Sequence, residues 1–218
     1  AYDVSTCAFV KDVDPDTDAL AGTSFGGRSE KKKYHVQGLE INPDGTKIFL
    51  VFNDVNGNGD GVKEYNLSTP YDIATMSLVT SGGIHLSKGA AGFNPDAIFI
   101  GLNGKRLFVT DHDKYTVTQY TLHNPYDTSS FTEDGSVSIQ DLTSDNNRQT
   151  RALGFSKSGL KMFVSDDEGD DEIFEFNLVC PFNIIAGKCP SITENKERTG
   201  IAEAQIETAK RSINMSTN

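Results

Sequence analysis

The sequence predicts an all-β fold: tandem four-stranded antiparallel blades forming a partial β-propeller of about three blades, with a C-terminal helix. Three observations carry this. A unit of about 55 residues recurs, each copy alternates apolar and polar residues with period two, and 20 glycines against three methionines and no tryptophan mark frequent tight turns.

The repeat is anchored by matched positions. Gly45, Gly104 and Gly159 fall in equivalent turns, and Phe49, Phe108 and Phe163 follow four residues later. Tyr65, Tyr120 and Phe176 share one place at intervals of 55 and 56 residues, trailed by Leu67, Leu122 and Leu178. Then come Tyr71-Asp72, Tyr126-Asp127 and Phe182-Asn183, with Tyr2-Asp3 as the same element of a preceding repeat.

Each unit reads as four strands. The first is an apolar alternation such as Gly38–Ile41, closed by a Pro-Asp-Gly or Asn-Gly turn. The second, Lys47–Phe52, places Ile48, Leu50 and Phe52 on one face and Phe49 and Val51 on the other. Both faces are apolar, so this strand belongs between stacked sheets. The third is Val62–Leu67, and a Thr-Pro or Asn-Pro turn leads to a fourth around Ile73 to Thr80. Residues 1–35 read as a partial N-terminal repeat and loop, 36–190 as three repeats, and 191–218 as a helical tail. Thr193 or Asn195 caps that helix, and Ile201, Ala204 and Thr208 line it. The opening residues read as the middle of a repeat, hence as a processed or truncated piece. Three units are too few to close a ring, which leaves a longer chain, self-association of two copies, or an open array.

The net charge of −11 is the wrong sign for a nucleic-acid partner. No run of 18 apolar residues provides a membrane-spanning helix. Cys180 and Cys189 flank a short segment after the last repeat, where a disulfide would pin the end of the array in an oxidising compartment; two free thiols are the competing reading. Cys7 reads as a half-buried strand residue. His35, His85, His112 and His123 form no metal-binding spacing and read as scattered loop or strand-end residues. Arg28 to Lys33 is a basic patch, read as a solvated loop or a contact with an acidic neighbour.

Asp54, Asn56, Asn58 and Asp60 stand at positions 1, 3, 5 and 7 of a loop with Gly59 at position 6, the layout calcium loops use, because a hard cation needs several oxygens around a tight turn. The pattern lacks its closing glutamate: Tyr65 stands at the twelfth position and Glu64 one place early. A glycine-rich hairpin insertion is the alternative. In the third repeat Asp166, Glu168 and Asp170 lie in an acidic loop that reads as a second cation site or as a solvated turn. The second repeat's loop, Asp111 to Lys114, lacks the pattern.

The signature NPDGTK-apolar-F followed by EYNLSTPYD resembles propeller-like repeats of marine bacterial surface proteins, where such repeats form a passenger region ahead of an autotransporter barrel. The resemblance covers roughly 36–190 in three copies, with a partial copy at 1–10. Cys180-Pro181-Phe182 followed by Ile201 to Lys210 looks like the junction before that barrel. It implies secretion or display on the outer membrane of a Gram-negative bacterium, and no catalytic residues.

The function expected from sequence is therefore a non-enzymatic surface module for adhesion, ligand binding or spacing, with a surface ligand, glycan or protein as partner. The alternative is a calcium-dependent propeller enzyme of the lactonase or hydrolase type. It would need carboxylates, Asn and His converging from several blades, with Glu40 and Asp96 as contributors.

Overall fold

The computed structural model describes residues 8–12, 34–54, 60–86, 93–143, 149–167 and 172–189. The chain is mostly β: three antiparallel sheets with almost no helix. The first joins β1 (Tyr34–Ile41), β2 (Lys47–Asp54), β3 (Gly61–Leu67) and β4 (Met76–Leu78), and β5 (Ile84–His85) also pairs with β3. The second joins β6 (Pro95–Gly101), β7 (Arg106–Asp111), β8 (Thr116–Asn124) and β9 (Asp127–Ser138), followed by the short helix α1 (Ile139–Thr143). The third joins β10 (Thr150–Phe155), β11 (Lys161–Asp166) and β12 (Ile173–Asn177). No helix among the described residues is long and apolar enough to cross a membrane.

Several expectations fall outside the described residues: the tail helix over 191–218, Tyr2-Asp3, Cys7 and the Arg28–Lys33 patch. The fourth strand of the first unit is shorter than its sequence implies. Asp72 accepts a hydrogen bond from the Ala74 N–H at 3.0 Å, which turns Ile73–Thr75 into a 3-10 turn before β4 begins.

One device closes each unit. Gly45, Gly104 and Gly159 take φ of 71, 84 and 72°, and Tyr71, Tyr126 and Phe182 donate their N–H groups to those glycine carbonyls at 2.8, 2.9 and 2.8 Å. Each aromatic ring then lies against its glycine, so that a Cβ there would clash with the ring carbons. Glycine is required twice over, by backbone conformation and by space.

The sheets pack face to face in chain order. Phe49, Val51 and Val62 of the first sheet share an apolar cluster with Ile98, Ile100, Leu107 and Tyr120 of the second. Phe108 and Val117 on the second sheet's other face cluster with Met162 and Val164 of the third, with Leu153 and Phe155 packed against them. The two-sided burial expected of Lys47–Phe52 is found: Ile48, Leu50 and Phe52 are buried in a separate cluster on the opposite face. The first strands, β1, β6 and β10, lie next to one another.

A buried polar contact locks each pair of sheets. Glu64, 1% exposed, accepts hydrogen bonds from the Thr128 N–H and hydroxyl, both at 2.8 Å, and pairs with Lys47. Gln119, at the equivalent place in the second sheet, accepts from the Ile184 N–H at 2.9 Å. Thr128 and Ile184 occupy equivalent positions, each two residues beyond the aromatic that caps the glycine turn. Cys180 and Cys189 form a disulfide beside the second of these contacts.

Replacing Gly104 with alanine should lower stability by about 2–4 kcal/mol, from strained backbone and a displaced ring together. Urea unfolding measures this; a midpoint within error of wild type would contradict the turn's role. Two exposed turn carboxylates give a pH dependence. Hydrogen bonds from Thr46 hold Asp44, and hydrogen bonds from Ser129 hold Asp127, below the ordinary carboxylate range. Their stabilisation is complete above the unfolded value of about 4 and is lost as pH falls through the lowered folded values. Urea midpoints taken down the acid range should fall less steeply in the Asp44→Asn, Asp127→Asn double variant.

Candidate functional site

At the end of the sheets where the first strands begin, polar side chains from all three units meet. Their positions are equivalent in the repeat: His35, Asn94 and Gln149 near the start of the first strand; Gln37, Asp96 and Arg151 two residues on; Asn53, His112 and Asp167 at or just past the end of the second strand. The pairing register shifts at the same place in all three first strands, between Val36 and Gly38, Pro95 and Ile98, and Thr150 and Leu153. A bulge of this kind re-aims side chains, and here it acts on the column that holds Asp96 and Arg151.

The contacts form one network. Asn53 donates through Nδ2 to Asn94 Oδ1, joining the first sheet to the second. Asn94 Nδ2 lies 3.2 Å from His112 Nδ1. Arg151 reaches from the third sheet to donate through Nη1 to Asp96 Oδ2 at 2.8 Å and to His112 Nδ1 at 3.0 Å, and through Nε to Asp167 Oδ2 at 2.6 Å. His112 Nε2 meets Gln149 Oε1.

These partners fix the imidazole. A guanidinium only donates, so Nδ1 of His112 accepts, and its proton sits on Nε2 and is given to Gln149 Oε1. The Asp96 carboxylate stands 3.9 Å from Nδ1, beyond hydrogen-bond length, and binds Arg151 instead. Partial burial works against the Arg151 charge, but the Asp96 and Asp167 hydrogen bonds outweigh it and hold the guanidinium above its ordinary pKa. A permanent cation is thus positioned by two carboxylates beside the His112 ring.

The sequence-predicted site residues lie elsewhere or outside what is described. Of the Asp54, Asn56, Asn58 and Asp60 set, Asn56 and Asn58 are outside the described residues, Asp54 ends β2, and Asp60 is buried before β3. Of the Asp166, Glu168 and Asp170 set, Asp166 is buried opposite Thr150, and the other two are outside the described residues. Among the described residues no three His, Cys, Asp or Glu side chains gather to hold a metal ion. Asp96 is in the network as the enzyme alternative required, whereas Glu40 is next to last in β1, paired with Phe49, at the opposite end of that strand from His35. His112, expected to be one of four scattered histidines, is the node of the network. Arg151, Asn94 and Gln149 were not singled out by motif reading.

No protein-family model matches the chain, and no curated protein is similar to it. Solved structures are similar in fold. The periplasmic gluconolactonase of Pseudomonas aeruginosa aligns with a TM-score of 0.50 at 16% identity, over 66% of this chain and 37% of that one. A protein named as a candidate 6-phosphogluconolactonase from Bacteroides uniformis gives 0.49 at 14% identity over 67% and 38%, and one from Bacteroides fragilis 0.47 at 16% over 69% and 40%. The chain therefore spans about two fifths of the length of these structures. At such identity the likeness to the gluconolactonase shows the fold, a β-propeller.

Two expectations are corrected by these findings. The chain was expected to be a non-enzymatic surface module, and not an enzyme. The solved structure that shares its fold at a TM-score of 0.50 is named a gluconolactonase, which stands against the non-enzymatic reading. The polar residues that meet belong to different units and make no local motif.

Asp96→Asn removes one of the two charges holding Arg151 while keeping the side chain's shape. It should cost about 1 kcal/mol, because Arg151 is partly screened by solvent. An unshifted urea midpoint would show that the Asp96–Arg151 contact does not join the sheets.

Proposed function

We propose that the chain acts as a β-propeller hydrolase of the lactonase type, with Asp96, His112 and Arg151 at its reacting centre. One observation carries the reading: a carboxylate, an imidazole and a doubly anchored guanidinium, supplied by two sheets, meet at the strand ends where the repeat's bulges turn side chains together. The name of the periplasmic gluconolactonase that shares the fold supports it.

Lactone opening needs water added to the ring carbonyl, charge stabilised on the carbonyl oxygen, and the ring C–O bond broken. Arg151 is suited to the second task, since its charge is permanent and its position is fixed before substrate arrives. Asp96 takes the proton of the attacking water and returns it to the ring oxygen as the C–O bond breaks, and His112 acts as a positioning residue that holds the guanidinium through Nδ1. The Cys180–Cys189 disulfide supports an oxidising compartment for this activity.

The test is hydrolysis of a panel of aldonolactones, each with and without added calcium. Turnover above the uncatalysed rate is expected for at least one. Arg151→Met should lower kcat about 100-fold or more with little change in melting temperature, and Arg151→Lys should recover part of the loss. Absence of turnover throughout the panel, or a kcat untouched by Arg151→Met, would overturn the reading.

A further inference from the structure

The two sheet-to-sheet contacts define what each face of a unit presents to its neighbour, and the third sheet has such a face with no sheet on it among the described residues. Val62 and Val117 are fully buried in these contacts, whereas their equivalent Ile173 is 75% exposed. Lys47–Glu64 is covered by Tyr126 and Thr128 of the second sheet, and Gln119 by Ile184 after the third. The equivalent pair Lys161–Glu175 keeps its two partners in solvent.

The first sheet shows the complementary half. Val62 shares its cluster with Ile98, and Leu153 packs against the cluster that holds Val117. The equivalent of Ile98 and Leu153 in the first sheet is Leu39, which is 59% exposed, with Val36 exposed beside it. The outer part of that side, around Ile48, Leu50 and Phe52, is already buried, so the available surface is the strip along β1. Residues 8–12 touch the same side through the Lys11–Asp72 ion pair at 2.6 Å and leave Leu39 uncovered.

The polar columns agree with this pairing. The residue past the second strand bonds the residue at the start of the next sheet's first strand: Asn53 with Asn94, His112 with Gln149. Continuing the rule sets Asp167 against His35, a carboxylate against an imidazole. Both are at the surface, and Asp167 keeps 42% of its side chain exposed while holding Arg151. Charge and apolar exposure therefore point to the same occupant.

We infer that the open face of the third sheet binds the β1 side of a second copy of this chain. Ile173 packs on the partner's Leu39, and Asp167 meets the partner's His35. Glu175 accepts the partner's Ile73 N–H, as Glu64 accepts that of Thr128. Made reciprocally, the contact places six sheets around one axis, within the range of about four to eight that propellers use. It is head-to-tail, so the two halves of each contact lie on different surfaces of the chain. This inference does not depend on the lactonase reading.

Sedimentation equilibrium of the full chain tests it. Wild type should give twice the 23.7 kDa chain mass. Ile173→Asp and Leu39→Asp each alter an exposed side chain and should each weaken the dimer by roughly 100-fold, about 2.7 kcal/mol. An equimolar mixture of the two variants should dimerise at least about tenfold more tightly than either alone, because one of its two contacts is wild type on both sides. A chain that stays monomeric up to about 100 μM, or a dimer indifferent to both substitutions, would overturn the proposal.

Discussion

The structure depends on how one sheet captures the backbone of the next. Glu64 and Gln119 sit at the same place in the third strand of their sheets, both buried, and each accepts a main-chain N–H from the following unit. A buried carboxylate without partners is costly, so the position is tolerable only where the next unit delivers its donors. The apolar faces supply most of the driving force for stacking. The polar contact supplies register, because it is satisfied only when the Tyr126-Asp127-Thr128 or Phe182-Asn183-Ile184 segment lies in one place.

That segment is itself fixed within its own unit. Its aromatic ring covers a glycine at the tip of the first turn, and its N–H closes on that glycine's carbonyl. Turn, ring and capture site form a chain of constraints that repeats along the molecule. With the stack set in this way, the ends of the first strands are brought side by side, and Asn53, Asn94, Asp96, His112, Gln149 and Arg151 are brought into contact across three units. The chemistry proposed for the site is a consequence of stacking geometry rather than of any single loop.

Much of the fold was legible because the features that build it are repeated in kind. Gly45, Gly104 and Gly159 are invariant across the units, and so are Phe49, Phe108 and Phe163, since turn conformation and core space admit few alternatives. The site was illegible for the opposite reason. Its columns hold the same kind of position but different residues: His35, Asn94 and Gln149 in one, Gln37, Asp96 and Arg151 in another. Self-similarity searches for sameness and passes over them. A polar residue in every copy of a column next to a strand bulge was the available signal, and using it required knowing that first strands of successive sheets touch. The carboxylate-rich loops drew attention by composition, whereas Arg151 carries no mark in its own neighbourhood.

Amide hydrogen exchange on the native chain tests the capture mechanism most directly. The account places the Thr128 and Ile184 N–H groups among the slowest-exchanging amides. It further requires that Glu64→Ala selectively releases Thr128, and that Gln119→Ala selectively releases Ile184. Fast exchange of both amides in the wild-type chain, or equal release of both by either substitution, would contradict it.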